Sequence, residues 1–313
     1  MKIFPNNFNP SSDSGPNSFT RGLLEKIVNE YNASIAINRK NADVEFCLIE
    51  SNIKKEIPRL TRLDGIYFNT SQDFNFLNDK IKDTYETSDA VIFQSNFNKD
   101  LIQSWFGDHK NGHVIVNGAD QEKIDKIDKA DLSHTFGDRK IWMCASSWRP
   151  HKRLNENIRY FIENSDNDDV LLIAGKGASK NDFLGYENVI NKRVFYIGHT
   201  SWESLVSLYK RSSTFIHLAF LDHCPNVVVD AAASGCEIVC AGSGGTKEIY
   251  SKKMTVVEDI DWDFSPLDLY NPPILNFENK IKTSSSIGYN LSDSAEKYFK
   301  IMETLSEKSK TLQ

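Results

Sequence analysis

The stretch from Thr214 to Glu248 constrains the fold more than any other part of the chain. It opens with the β-branched and aromatic run Thr-Phe-Ile-His-Leu-Ala-Phe, which predicts a buried parallel strand. Pro225 then predicts a helix start, because proline lacks an N–H that the first helical turn would leave unpaired. A second apolar run, Glu237 to Ala241, follows, and a glycine loop then leads into another predicted helix. This order predicts a parallel crossover unit of an α/β domain, whose ligands bind at the carboxyl ends of the strands.

Two carboxylates supply the chemistry of this stretch. Asp222 follows the first strand, and Asp230 lies eight residues later, which predicts a position about two turns into the helix. The backbone N–H groups between them predict a site for an anion. An anion flanked by two carboxylates indicates a diphosphate with hydroxyl-rich groups at both ends, which is the form of a sugar nucleotide. The residues at or beside this helix start are His223, Cys224, Pro225, Asn226 and Val227.

This pattern resembles family 4 of the retaining glycosyltransferases, whose donor site has two acidic residues separated by seven. The family usually carries glutamate at both places, where this chain has Asp222 and Asp230. The segment from Gly244 to Glu248 is also similar to the family's glycine-glycine-x-x-glutamate segment. The alternative is an ordinary Rossmann-type unit in which the two acids favour the helix dipole.

Composition and charge narrow the class of protein. At 313 residues the chain is long enough for two domains, and its net charge of −6 argues against a broad nucleic-acid-binding surface. The five cysteines and seven histidines lack metal-ligand spacing, which predicts reduced core thiols and no metal site. The chain shows no signal peptide and no apolar run long enough to span a bilayer. These features predict a cytoplasmic protein, whose membrane contact would be at most peripheral.

The first half of the chain predicts an α/β domain that begins with a strand at Lys2 to Pro5. The polar loop from Asn6 to Asn17 comes next, and an amphipathic helix follows it. Gly15, Pro16 and Asn17 resemble the place where the family keeps a glycine loop facing the acceptor and the donor phosphates. A plain surface loop is the alternative.

Asp64 stands at the end of a predicted strand in this half. Family members commonly place a histidine and then a glycine here, facing the transferred sugar, and Asp64 takes the place of that histidine before Gly65. A carboxylate there would bind an acceptor hydroxyl or support proton transfer. The alternative is that Asp64 only turns the chain. The predicted strands are Ser34 to Ile37, Val44 to Ile49, Leu60 to Leu63 and Ala90 to Gln94, with a helix near Phe76 to Thr87 and a loop that begins at Ser95.

A domain boundary is predicted in the middle of the chain. The segment from Val114 to Asp120 resembles the family signature that closes the first domain, without its proline. Gln121 to Arg139 is charged and lacks strong periodicity, which predicts a linker. Ile141 to Ala145 then predicts the first strand of a second α/β series.

The loop after this strand carries cations that suit a diphosphate. Arg149 and Lys152 precede an amphipathic helix, and guanidinium and ammonium groups both bind phosphate oxygens. By the resemblance, Lys152 matches the family lysine, and Ser147 stands where the family has an arginine. Arg149 would supply that charge from two residues further on. A basic helix start exposed to water is the alternative.

The second series continues with strands, helices and a further glycine loop. Gly175 ends one strand and is placed like the family's glycine loop beside the nucleotide. Leu269 to Ile287 is predicted to be largely loop. Leu291 to Leu305 predicts a closing helix, which in the GT-B fold often crosses back to the first domain. Further strands are predicted at Val170 to Gly175, Val194 to Ile197 and Met254 to Val257, with a helix at Trp202 to Tyr209.

The resemblance implies an α/β protein of the GT-B fold, in which two Rossmann-like domains face each other across a cleft. Residues 1–120 would form the acceptor-side domain, 121–139 the linker, 140–290 the nucleotide-sugar-binding domain and 291–313 the C-terminal helix. The implied enzyme is a retaining, metal-independent glycosyltransferase without a cofactor. Its partners would be a nucleotide-sugar donor and a hydroxyl acceptor, on a glycan or a lipid-linked molecule, and no nucleic acid.

The resemblance also implies roles for individual residues. Arg149 and Lys152 would bind the phosphates, Asp230 the ribose and Asp222 the donor sugar as the catalytic residue, with Asp64 on the acceptor side. Two other classes of function remain as alternatives. One is a binding protein that keeps the fold and has lost turnover, which the departures from the family residues favour. The other is another GT-B enzyme, such as a sugar-nucleotide epimerase, which would need no acceptor.

Overall fold

The computed structural model of the chain describes residues 1–249, 251–284 and 289–311. The chain divides into two compact units. The first comprises Met1–Asp120, Phe264–Leu267 and Tyr289–Gln313, and the second comprises Gln121–Asp263 and Asp268–Gly288. The predicted ranges 140–290 and 291–313 include residues 250, 285–288 and 312–313, which lie outside the described residues.

Helices and strands alternate along both units. The helices are α1 (Gly15–Glu30), α2 (Phe74–Thr87), α3 (Asn96–Phe106), α4 (Gln121–Asp125), α5 (Ser133–Phe136), α6 (Leu154–Asn164), α7 (Trp202–Arg211), α8 (Asn226–Ala233) and α9 (Leu291–Thr311). The strands are β1 (Lys2–Asn6), β2 (Ser34–Ile35), β3 (Val44–Leu48), β4 (Arg59–Leu63), β5 (Ala90–Phe93), β6 (Gly112–Val114), β7 (Ile141–Ala145), β8 (Val170–Ala174), β9 (Val194–Gly198), β10 (Thr214–His217), β11 (Glu237–Ala241), β12 (Met254–Val257) and β13 (Lys280–Thr283).

A parallel sheet forms the centre of the first unit. Its strands follow the order β2-β1-β3-β4-β5-β6 within the described residues. Helix α1 covers the sheet with the apolar face that its sequence predicts, and Leu23 and Ile27 on that face are fully buried. Helix α9 packs against α1, so that Tyr298 and Met302 complete the same core. The first unit therefore draws its core from residues near both ends of this sequence.

A second sheet forms the centre of the second unit. Its strands follow the order β13-β12-β11-β10-β7-β8-β9 in the described residues, and only β13 runs antiparallel to its neighbour. From β7 the chain first builds outward to β8 and β9, and then returns to the other side of β7 to form β10, β11 and β12. The order therefore reverses between β7 and β10. Their carboxyl ends mark a topological switch point, where open α/β sheets bind ligands.

Helix α3 is an element that the sequence prediction missed. A loop was predicted from Ser95, but the Ser95 hydroxyl caps the helix by accepting a hydrogen bond from the Asn98 N–H at 3.1 Å. Gly107 ends the helix in the left-handed region, at a φ of +84°. Serine before a helix and glycine after it are ordinary start and stop signals, so the prediction was wrong in passing over them.

Two predicted loop segments also contain regular structure. The predicted linker contains the short helices α4 and α5. The segment from Leu269 to Ile287 contains β13, which pairs with β12 and places Lys280 opposite Val257; its residues 285–287 lie outside the described residues. Strand β13 is largely exposed and carries lysines, so it lacks the apolar pattern that identifies a buried strand.

The first strand of the Thr214 to Glu248 stretch is shorter than the sequence predicts. It ends at His217, and residues 218–221 continue as a buried loop. Their apolar side chains are what extended the predicted strand to Phe220. Elsewhere, β2 ends at Ile35, before the predicted end at Ile37, whose side chain is almost fully exposed.

The five cysteines are unpaired and buried, as predicted for core thiols. Burial raises the pKa of Cys47, Cys236 and Cys240 to about 12, so these thiols stay protonated at neutral pH. Among the described residues, no helix combines the length and the apolar character needed to cross a membrane.

Candidate functional site

The loops after β7 and β10 leave the sheet at the switch point of the second unit. The β7 loop carries Arg149 and Lys152, and the β10 loop carries Asp222. A backbone hydrogen bond of 2.7 Å from the Phe220 N–H to the His151 carbonyl joins the two loops. The strand order thus brings together residues that lie about 70 positions apart in the sequence.

Asp222 is the centre of the site. Its Oδ2 accepts hydrogen bonds from Lys152 Nζ at 2.5 Å and from His217 Nε2 at 2.9 Å. Its Oδ1 accepts the backbone N–H of His223 at 3.1 Å. The side chains of Asp222 and Lys152 are only 14% and 15% exposed, so the pair is largely removed from water. The predicted phosphate-binding cation and the predicted catalytic carboxylate are therefore paired with each other.

The electrostatics of the site favour an ionised Asp222. Burial alone would raise the pKa of this carboxyl, but the charge of Lys152 and the hydrogen bond from His217 hold it well below its usual range. Burial lowers the pKa of His217, against the opposing effect of Asp222. His217 is therefore neutral at neutral pH and donates through Nε2–H.

Two further histidines surround this centre. Burial, and after it the charge of Lys152, lowers the pKa of His151 to about 3. Its ring stacks on Tyr270 with centroids 5.6 Å apart, and its Nδ1 is buried without a hydrogen-bond partner in the described residues. Burial also lowers the pKa of His223 to about 4.

These histidines make the second unit sensitive to acid. The pKa of His151 is about 3 and that of His223 about 4 in the folded protein, so these two rings stay neutral there but take up protons near pH 6.5 once the protein unfolds. Their contribution to stability is therefore present above pH 6.5 and is lost as the pH falls through 6.5 towards 4. Each such group adds about 1.4 kcal/mol per pH unit to the slope. We expect urea midpoints to fall steadily from pH 7 to pH 5, and His151→Gln to flatten that slope.

A glycine loop after β11 supports the backbone of Asp222. The Gly245 N–H donates to the Asp222 carbonyl at 2.7 Å. A Cβ on Gly244 would lie 2.5 Å from that carbonyl oxygen, and Gly244 has a φ of +78°, so glycine is required at this position. The sequence predicts a helix after this loop, but residues Thr246–Glu248 form only a short 3₁₀ turn.

A second pair of glycines brings the β8 loop against the β7 loop. A Cβ on Gly175 would lie 1.8 Å from the Ser146 carbonyl oxygen, and one on Gly177 would lie 2.6 Å from that of Trp148. The Trp148 N–H also donates to the Lys176 carbonyl at 2.8 Å. These glycines therefore let two backbones touch at the edge of the switch point.

Asp230, the second predicted carboxylate, lies on α8 and makes a side-chain hydrogen bond of its own. One carboxylate oxygen accepts the indole N–H of Trp202 at 3.0 Å, and Trp202 is the first residue of α7. Helix α8 begins at Asn226, so Asp230 lies little more than one turn into it. The predicted two turns were wrong, because the loop after Asp222 extends to Pro225.

The start of α8 is arranged much as the sequence predicts. Pro225 precedes the first helical residue, Cys224 is buried, and Asn226 and Val227 form the beginning of the helix. The His223 N–H is occupied by the carboxylate of Asp222. The aligned N–H groups of this helix still provide partial positive charge beside Asp222.

A buried ion pair between Arg153 and Asp259 connects the loops around the site. Arg153 Nη1 lies 2.6 Å from Asp259 Oδ2, and both side chains are 1% exposed. The Ser243 hydroxyl donates to the same carboxylate at 2.5 Å, and Arg153 also donates to the Pro273 carbonyl at 2.8 Å. Arg153 holds a left-handed φ of +51°, which costs a non-glycine residue about 1–2 kcal/mol. The pair thus joins the loops after β7, β11 and β12.

Arg149 and Ser147 are exposed on the β7 loop. Arg149 makes no ion pair with the described residues, so its guanidinium is available to an anion from solution. Among the described residues, no group of three or more His, Cys, Asp or Glu side chains is placed to hold a metal ion.

Asp64 lies in a polar cluster of the first unit. It pairs with Arg62, and Gln94 Nε2 donates to its Oδ1 at 2.6 Å. Asn117 joins Arg62 and Gln94 through hydrogen bonds of 3.1 and 3.2 Å. Burial raises the pKa of Asp64 despite the opposing charge of Arg62. Its Oδ2 is buried and has no hydrogen-bond partner in the described residues.

The predicted loop residues Gly15, Pro16 and Asn17 belong to the first turn of α1. The predicted loop therefore ends at Ser14, because proline favours the first turn of a helix. The Asn17 side chain accepts the Asn9 N–H at 2.7 Å and donates to the Ser14 hydroxyl at 2.8 Å. Its polar atoms hold the loop against the helix start.

The structure brings Lys152, Asp222, His223 and the start of α8 together, as the sequence predicts. The prediction missed His217 and Trp202, each of which holds one of the two carboxylates through a ring N–H. A signal for His217 was present, because a polar residue at the carboxyl end of a buried strand is placed where ligands bind. No comparable signal marks Trp202.

A protein-family model matches part of the second unit. Residues 132–263 match the model of the family described as glycosyl transferases group 1. The matched stretch contains Lys152, Asp222 and Asp230. No curated protein matches the chain by sequence.

Solved structures similar to the chain extend the comparison to both units. Sucrose-phosphate synthase from Thermosynechococcus elongatus is 12% identical, with a TM-score of 0.67 over 100% of this chain and 98% of that chain. AviGT4, a glycosyltransferase involved in avilamycin A biosynthesis, is 12% identical, with a TM-score of 0.63 over 98% of each chain. Anabaena Alr3699/HepE in complex with UDP-glucose is 14% identical, with a TM-score of 0.61 over 99% of this chain and 91% of that chain.

The solved structures establish the fold of the chain. The chain has the α/β fold of the GT-B glycosyltransferases, with two Rossmann-like sheets. The family match supports glycosyl transfer as its chemistry.

Proposed function

We propose that this chain is a retaining glycosyltransferase that moves a sugar from a nucleoside diphosphate sugar to a hydroxyl group. One observation carries the proposal: Lys152 and Asp222 meet at the switch point of the second sheet, beside the start of α8. Asp230 follows on that helix, so the proposed donor site would combine a cation, a helix start and two carboxylates. Similar structures support this reading, since Alr3699/HepE was solved with UDP-glucose and a starch synthase IV domain was solved with ADP.

The donor would bind to the second unit through groups of matching charge. Lys152 and Arg149 would bind the diphosphate, with the N–H groups at the start of α8. Asp230 would accept hydrogen bonds from the ribose hydroxyls, held in orientation by Trp202. Asp222 would face the transferred sugar, and the backbone at Gly175 would lie beside the nucleoside.

The reaction would break the bond between the anomeric carbon and the diphosphate oxygen. The acceptor hydroxyl forms the new bond to that carbon on the same face, and its proton leaves with the diphosphate. Negative charge grows on the leaving diphosphate, so Lys152, Arg149 and the helix start stabilise the transition state without a metal ion. The acceptor, a hydroxyl on a glycan or a lipid-linked molecule, would bind to the first unit, where Asp64 would accept its hydrogen bond.

A thermal-shift screen followed by product analysis tests this proposal. UDP, GDP and ADP and their glucose conjugates would be screened first, because a bound ligand raises apparent stability by mass action. The conjugate with the largest shift is then assayed for hydrolysis and for transfer, and NMR of the product gives its anomeric configuration. Activity should persist in EDTA. The proposal fails if no diphosphate binds, if free sugar nucleotides are only interconverted, or if activity lost in EDTA returns with Mg²⁺ or Mn²⁺.

Lys152→Ala is expected to weaken binding of the nucleoside diphosphate identified in that screen. The substitution removes a charge-assisted contact of about 1.5–3 kcal/mol, so Kd should rise about 10- to 150-fold. Isothermal calorimetry measures this directly. Lys129→Ala is the matched control, because Lys129 is an exposed lysine of the same unit outside the site. Equal affinity in the wild type and in a folded Lys152→Ala protein would remove Lys152 from the phosphate site.

A further inference from the structure

Asp222 Oδ2 has two donors that differ in their freedom to move. Lys152 reaches it with a long flexible side chain from the β7 loop, and an ammonium group rotates readily towards a new anion. His217 is the last residue of β10, is 4% exposed, and stacks on Phe215 with ring planes 11° apart. The histidine is therefore fixed by the sheet, whereas the lysine can leave.

The proposed function requires Lys152 to leave. A diphosphate in the site attracts Lys152, and Asp222 then loses its main counter-charge while it stays largely buried. A buried carboxylate that loses a partner takes up a proton or changes its position. The His217 N–H then remains on Oδ2, and the His223 N–H remains on Oδ1.

We propose that His217 is a positioning residue, which keeps the Asp222 carboxylate ionised and oriented after Lys152 has moved to the donor diphosphate. This inference rests on the proposed function. Lys152 cannot fill this role once the sugar nucleotide is bound, because its ammonium group then contacts the phosphates. Both side chains hold Asp222 Oδ2 in the unliganded protein, and His217 alone would hold it after Lys152 has left.

A set of His217 variants tests this role. His217→Phe keeps a ring of similar shape and removes the N–H, whereas His217→Gln places an amide N–H close to the former Nε2. With the sugar nucleotide selected by the screen, we expect His217→Phe to lower kcat at least tenfold and His217→Gln to recover most of it. KM should change less than about threefold in both, since neither variant removes a contact with the sugar nucleotide. His134→Phe and His134→Gln are matched controls at an exposed position of the same unit.

The pH profile distinguishes positioning from a purely structural role. The charged or titratable groups around Asp222 are Lys152 and His151 of the β7 loop, His217 of β10 and the adjacent His223. Loss of the His217 N–H destabilises the ionised carboxylate, so the acid limb of kcat should move to higher pH in His217→Phe and return in His217→Gln. A wild-type kcat and acid limb in His217→Phe would overturn the inference, as would an equal loss in both variants without any shift of the limb.

A measurement on the unmodified protein covers the case in which His217→Phe does not fold. Inorganic pyrophosphate is titrated into ¹⁵N-histidine-labelled wild type, and the ring nitrogens of His217 are followed by NMR. We expect the Nε2–H tautomer to persist at saturation. A change to the Nδ1–H tautomer would overturn the inference. If the wild type binds neither pyrophosphate nor any nucleoside diphosphate, the proposed function itself has failed.

Discussion

Asp222→Asn is expected to tighten the binding of inorganic pyrophosphate while it removes most of the activity. In the structure, Lys152 must break a largely buried ion pair with Asp222 before it can reach an anion. The amide cannot hold the ammonium group in this way, so we expect the Kd of pyrophosphate to fall about tenfold, equivalent to about 1.4 kcal/mol. The variant would also lack the carboxylate that is proposed to stabilise the charge developing on the donor sugar in the transition state. We therefore expect kcat to fall about 100-fold or more.

Asp230→Asn is the matched control, because it removes an equal charge from the same site. Trp202, and not Lys152, donates to the Asp230 carboxylate, so pyrophosphate affinity should change less than about threefold. With the complete donor, the same variant should mainly raise KM, since a ribose contact is made in both the ground and transition states. Calorimetry and initial rates give the two comparisons. If both variants lose only donor affinity, Asp222 is a second binding residue and its catalytic role is wrong.

Asp259→Asn is expected to destabilise the second unit by about 3–5 kcal/mol. The substitution leaves the guanidinium of Arg153 buried without its counter-charge, and breaking a buried ion pair on one side has a cost of this size. It also leaves Arg153 in a left-handed backbone conformation without the contact that compensates for it. Urea unfolding followed by tryptophan fluorescence measures the change, because several tryptophans lie in the second unit.

Two further variants test whether the uncompensated buried charge causes the loss of stability in Asp259→Asn. In Arg153→Met combined with Asp259→Leu, no buried charge is left uncompensated, and we expect much of the lost stability to return. Lys253→Ala breaks an exposed pair with Glu237 and should leave the unfolding midpoint unchanged. A midpoint for Asp259→Asn equal to that of Lys253→Ala would show that the buried pair does not brace the loops.

The order of strands and helices was largely predictable because it is written in local patterns. Apolar runs identify β7, β8 and β11, and the periodic apolar face of α6 is confirmed. Strand β13 was missed because its stability comes from pairing with β12 and not from its own apolar residues. Helix α3 was missed although Ser95 and Gly107 mark its ends.

The site was predictable in its residue types and less so in its contacts. The spacing of Asp222 and Asp230 and the cationic loop can be read from the sequence. The pairing of Arg153 with Asp259 cannot, because the partners lie 106 positions apart and meet only through the strand order. The pairing of Lys152 with Asp222 is of the same kind. The roles of all the predicted site residues stay predictions, including those of Lys152, Asp222 and Asp230.

The first unit is discontinuous in sequence, and this has a consequence for synthesis on the ribosome. Helix α9 contributes Tyr298 and Met302 to the core that α1 and the first sheet begin. The polypeptide of the second unit is made between these two parts. The nascent first unit therefore exposes the apolar surface awaiting α9 throughout the time in which Gln121–Asp263 emerges. The later half of this molecule is the one that can complete its hydrophobic core first.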